Sequence, residues 1–162
     1  MQKLAIATVC FVTAMLFSAA VDAQISSGFE KKSFNYSQWT KGLFAEVVTV
    51  TGPAKMIFVA GVGAENENGK AGDILHKGDF VAQCKYAYDK IRRVLEKHGA
   101  GFGNVVKVVS YVTDMRDAAA YDKCFSEAFG TVLPVNTLVN ISQLAWPGMM
   151  LEVDVTAMVA TK

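Results

Sequence analysis

Histidine is almost missing from this chain. Only His76 and His98 occur in 162 residues, and neither belongs to a Cys/His/Asp spacing that would hold a metal ion. The shortage also removes the usual base of a serine hydrolase: there is no Gly-x-Ser-x-Gly elbow, and the serines keep no fixed relation to either histidine. A surplus of one charge is lacking too. With 16 Lys and Arg against 15 Asp and Glu, the formal net charge is +1, which provides no basic field for nucleic acid. Gly99-Ala-Gly101-Phe-Gly103 is glycine-rich, but it follows a helical pattern and precedes a strand, the reverse of what a phosphate-binding loop needs. It reads as a helix C-cap and turn. No internal repeat marks a solenoid, and neither a cofactor nor a metal is expected.

Cysteine is scarce, at three residues. Cys10 lies in an N-terminal segment where Lys3 precedes an almost wholly apolar run from Leu4 to Ala20, and Val21-Asp22-Ala23 offers small residues for cleavage. Residues 1–23 read as a signal peptide, with an uncleaved anchor as the alternative because the run approaches the span of a bilayer. A periplasmic or secreted location is expected, with no membrane attachment after cleavage. Cys84 and Cys124 would then meet an oxidising compartment. Both fall on apolar helix faces, so they read either as small buried hydrophobes or as a disulfide between two helices, which needs Cα atoms within about 7 Å.

What remains suffices for one domain and not for two. Residues 24–42 are polar without a clear period and read as an N-terminal arm; the domain is expected over 43–162. Phe44 to Thr51 and Met56 to Val62 read as strands about a Gly52-Pro53 turn. Gly63 to Gly78 is a long glycine-rich, charged loop of the kind that builds binding sites. Asp79 caps a helix whose apolar stripe runs through Phe80, Cys84, Ala87, Tyr88, Ile91, Val94 and Leu95 and stops at Gly99. Its other face, from Lys85 through Lys90 to Lys97, reads as solvated charge. Val105 to Thr113 is a strand, Asp117 opens a second helix through Phe129, and Val135 to Leu144 and Met149 to Ala160 close the chain as strands about Trp146-Pro147-Gly148. The order ββαβαββ predicts an α+β fold with both helices on one face of a mixed sheet. In the last strand Leu151, Val153, Val155 and Ala157 share one face and Glu152, Asp154 and Thr156 the other. Two carboxylates on one face must meet water, a partner subunit or a ligand.

The ordered set IFVAGVGA at 57–64, GDFVAQ at 78–83, NVVKVVSYVTDMRDAAAY at 104–121 and LPVNTLVNISQLAWPGMMLEVDVTA at 133–157 resembles the Rid family, the reactive intermediate deaminases also called YjgF or L-PSP endoribonuclease-like proteins. Pro134, Thr137, Pro147, Gly148, Glu152, Asp154 and Ala157 match the family's C-terminal signature. Asn136 stands where the family's deaminases carry arginine.

The resemblance implies a chorismate-mutase-like α+β subunit that assembles as a homotrimer, with small-molecule clefts between neighbouring subunits and the Glu152/Asp154 face inside the trimer. It implies Glu152 as the residue that positions the attacking water and Asn136 as the substrate anchor, the two candidate catalytic residues. The backbone at Ala60-Gly61 would line the cleft with an aromatic residue, best matched by Phe44, with Tyr36 as the weaker alternative. Asp122 and Leu138 are counted with them as candidate substrate-binding residues. An asparagine cannot supply the bidentate, charge-assisted fork that holds a carboxylate; that change forfeits about 1–3 kcal/mol of anchoring. The expected activity is hydrolysis of an uncharged imine or enamine rather than of a 2-imino acid; a non-catalytic trimer that binds a small neutral ligand is the other reading.

Overall fold

The computed structural model describes residues 28–161; the expected signal peptide lies outside them. Six strands and two long helices follow in order: β1 (Glu30–Phe34), β2 (Val47–Thr51), β3 (Ala54–Val62), α1 (Phe80–Lys97), β4 (Val105–Val112), α2 (Ala118–Phe129), β5 (Val135–Asn140) and β6 (Leu151–Ala160). The main sheet runs β3-β6-β4-β5. Its first two pairings are antiparallel and the β4/β5 pairing is parallel, so the expected mixed sheet is present. β1 and β2 form a separate antiparallel ribbon.

Alternation in β6 decides which side carries the helices. Leu151, Val153, Val155 and Ala157 are buried, and they join Val105, Val108 and Val112 of β4 in one core. From α1 that core receives Phe80, Cys84, Ala87, Tyr88, Ile91 and Leu95, the stripe set by helical periodicity, and from α2 it receives Tyr121, Cys124, Phe125 and Phe129. The helix starts where the sequence places it, with Asp79 Oδ1 accepting from the Ala82 amide at 3.0 Å. It ends before Gly99, whose φ of +76° suits a residue without a Cβ.

A disulfide joins Cys84 of α1 to Cys124 of α2, with Cα atoms 6.5 Å apart. Of the two readings left open for these cysteines, the cross-link holds. Gln83, fully buried beside Cys84, ties the helix to the loop before it and to the turn before β6: its amide nitrogen donates to the carbonyls of His76 (3.2 Å) and Gly148 (2.7 Å), and its oxygen accepts from the Met150 amide (2.9 Å).

Several boundaries differ from the sequence expectation. The segment read as an arm contains β1 and a 3-10 turn at Gln38–Thr40. The sequence EKKSF shows no apolar alternation because this ribbon strand is mostly exposed and is held by backbone pairing. β2 begins at Val47 rather than Phe44. β5 ends at Asn140, and the apolar residues beyond it, Ile141 and Leu144, pack with Ala64, Ile74 and Met149 in a second small cluster under the 63–78 loop. Lys90, read as solvated, is buried: its Nζ donates to the Glu65 carbonyl and carboxylate, each at 3.0 Å, and lies 5.1 Å from the Tyr86 ring centroid. The long loop is thus fastened to α1.

Candidate functional site

The expected site residues divide into two groups on opposite faces of the sheet. Asn136 pairs in register with Val108, and Leu138 with Ser110, both core-facing positions of β4; residues opposite one another in a ladder share a face. The Asn136 side chain accordingly meets α2, where Tyr121 Oη donates to its Oδ1 at 2.9 Å. Glu152 pairs with Tyr111 and Asp154 with Val109, on the face away from the helices. One copy of the chain therefore does not bring Asn136 and Glu152 together.

On the helix side, a cavity of about 580 Å³ is lined by Asn136, Leu138, Phe44 and Asp122 together with Trp39, Leu43, Lys123 and Phe125. Of the two aromatic candidates, Phe44 lines it and Tyr36 does not. Trp39 was not anticipated; it meets Phe44 edge to face, with ring centroids 5.7 Å apart, and is 68% exposed. The available signal was a tryptophan in an otherwise polar segment, but that segment has no periodicity to place it. Tyr121 was assigned to the apolar face of α2 and does sit in the core, yet its hydroxyl bonds the Asn136 side chain that lines the cavity.

On the open face, β3 carries a bulge. Val59 pairs with Val155 and Val62 with Val153, so β3 has one residue more than β6 between these pairs, and the excess falls at Ala60-Gly61. Both residues are exposed. Gly61 makes room for this side chain: a Cβ there would lie 2.8 Å from Glu152 Cγ, 2.5 Å from Cδ and closer still to Oε1, so Glu152 would have to move away. The Glu152 carboxylate thus lies across the bare backbone of the bulge. No described side chain or backbone group bonds or pairs with it. Partial burial, followed by the like charges of Glu65 and Asp154, raises its pKa above the usual carboxylate range. Glu65 is held nearby by the Gly63 amide (3.1 Å) and by Lys90, and Tyr111 Oη donates to Asp154 Oδ2 at 3.5 Å. A partly desolvated, unpaired carboxylate is suited to taking a proton from water.

Around Glu152 the open face is uncovered in a single copy. Met56 is 48% and Phe58 73% exposed. Among the described residues, no group of His, Cys, Asp and Glu side chains is placed to hold a metal ion, and no helix is long and apolar enough to cross a membrane.

A profile of the family described as Endoribonuclease L-PSP matches residues 40–159. The chain belongs to this family, the Rid/YjgF proteins. It is 34% identical over 104 residues to a RutC family protein of Pyrococcus abyssi, spanning 64% of this chain and 76% of that one. To the 3-aminoacrylate deaminase RutC of Acinetobacter baylyi it is 25% identical over 109 residues, 67% of this chain and 83% of that one. Among solved structures, the Rid protein YyfB of Yersinia pestis, whose function is unknown, aligns with a TM-score of 0.69 at 23% identity, covering 80% of this chain and 98% of that one. YjgF of E. coli gives 0.55 at 24% identity, over 63% and 79%. These structural likenesses establish the Rid fold for this chain.

Proposed function

We propose that this Rid protein is exported and forms a trimer whose small-molecule clefts combine the Asn136 side of one copy with the Gly61/Glu152 side of the next, and that it hydrolyses an uncharged imine or enamine there. The observation that carries this reading is the unpaired Glu152 carboxylate lying over the bulge. In the imine, Glu152 takes a proton from water as the water oxygen bonds to the C=N carbon. It passes that proton to nitrogen, giving a carbinolamine, and then carries the hydroxyl proton to nitrogen as the C=O bond forms and the C–N bond breaks, leaving a carbonyl product and ammonia. An enamine reaches the same imine by taking a proton on carbon and losing one from nitrogen. Asn136 anchors the far end of the substrate by hydrogen bonding.

The division of the candidate residues between two faces supports assembly, since a cleft using both needs two copies; the exposed Met56 and Phe58 support burial of the open face. The disulfide supports an oxidising compartment and agrees with the N-terminal segment as an export signal. The net charge of +1 gives no support to an RNA substrate. Ammonia release from small enamines, measured for the wild type and for Glu152→Gln, tests the chemistry: the variant should lose about 10²–10⁴-fold in turnover while sedimentation still gives a trimer. Equal rates would remove Glu152 from the mechanism, and a stable monomer at micromolar concentration would remove the shared cleft. A cleft that binds without turnover is the second reading, favoured by the neutral Asn136 at the anchoring position.

A further inference from the structure

We propose that the cavity beneath Trp39 takes a planar, uncharged carboxamide or lactam, recognised by the Asn136 N–H groups, with Tyr121 as the residue that fixes their direction. This rests on the small-molecule reading above and narrows its ligand class.

The hydrogen bond that orients the Asn136 amide carries the argument. Tyr121 Oη donates to Asn136 Oδ1 at 2.9 Å, and Ser110 Oγ lies 2.8 Å from the same phenol oxygen. A phenol has one proton, so with that proton on Asn136 the Ser110 hydroxyl donates to Tyr121. Burial pushes the Tyr121 phenol up, so it remains a donor through neutral pH. Asn136 therefore presents Nδ2, two donors that no described group accepts, at the cavity wall.

A pair of N–H donors selects an acceptor, and a carbonyl oxygen is the neutral one. The charged lining, Asp122 and Lys123, is one anion and one cation, so no net field draws in an anion, and a carboxylate would meet Asp122 without a guanidinium fork. Trp39 and Phe44, meeting edge to face at 75°, form an aromatic corner in which a planar group can lie against the face of one ring. The volume of about 580 Å³ suits a small molecule.

Nicotinamide and nicotinate, identical in shape and opposite in this property, are the probes. Titration calorimetry on the full chain freed of its signal should show nicotinamide binding about tenfold or more tightly than nicotinate. Tyr121→Phe, which keeps the ring in the core, should bring the two affinities to within about threefold while the thermal midpoint stays above assay temperature; Asn136→Leu should do the same. Nicotinate binding as tightly as nicotinamide, failure of nicotinamide to bind, or an unchanged preference in Tyr121→Phe would each overturn the proposal. Loss of the preference alongside Glu152-dependent turnover would overturn this inference alone, and a retained preference without such turnover would overturn the hydrolytic reading alone.

Discussion

Opening the bond between Cys84 and Cys124 should destabilise the domain by about 4 kcal/mol. The two cysteines are 40 residues apart in sequence. Closing a loop of that length removes about 13 cal/mol/K from the unfolded chain, or about 4 kcal/mol at 25 °C. At a few degrees per kcal/mol for a domain of this size, the thermal midpoint should fall by roughly 12–20 °C. Both sulfurs are buried, so reduction should need prior unfolding or strong reductant. Guanidinium unfolding of the oxidised protein against protein reduced while unfolded and then refolded in reductant isolates the cross-link, since both forms keep the same side chains. The double variant Cys84→Ala/Cys124→Ala adds the loss of two buried sulfur atoms and should be at least as destabilised. A difference below about 1 kcal/mol between oxidised and reduced forms, or two titratable thiols in the unreduced, unfolded protein, would refute the reasoning.

Gly61→Ala should leave the fold intact, because Gly61 is not among the positive-φ glycines, yet expel the Glu152 carboxylate; turnover or ligand affinity should fall by up to about 10²-fold with little change in thermal midpoint. Gln83→Ala strips the buried Met150 amide and two carbonyls of their partner and should cost about 2–4 kcal/mol in a denaturant titration. Glu152 has a folded pKa raised above its unfolded value, so the folded state holds the proton longer and wild-type stability falls as pH rises from the carboxylate range through that folded pKa. Glu152→Gln does not titrate. It should be more stable than the wild type at pH 7 and lose that advantage near pH 4, as read from urea midpoints at the two values; a variant less stable at pH 7 would show that the carboxylate is favourably paired.

Periodicity alone determined much of this protein. The stripe from Phe80 to Leu95 specifies α1, and the alternation from Leu151 to Ala157 specifies β6 with its core and open faces, because burial of one face imposes a repeat on the residues that supply it. Asp79 and Gly99 mark the helix ends for the same local reason. The ordered motifs gave the family. β1 was not legible, since EKKSF pairs through its backbone and buries almost nothing. Lys90 looked like its charged neighbours, and only the return of the 63–78 loop over α1 set the Glu65 carboxylate against it.

Tertiary structure also decided the site. Nothing in the spacing of Asn136 and Glu152 reveals that they occupy opposite faces, because the face of β5 depends on its parallel register with β4. Tyr121 and Cys124 share an apolar helix face with Phe125, and sequence gives no means of separating a phenol that holds an amide, or a sulfur that finds a partner on another helix, from side chains that merely fill space. Those distinctions arise when distant segments meet, since hydrogen bonds and disulfides depend on separations of a few ångströms that local pattern does not encode.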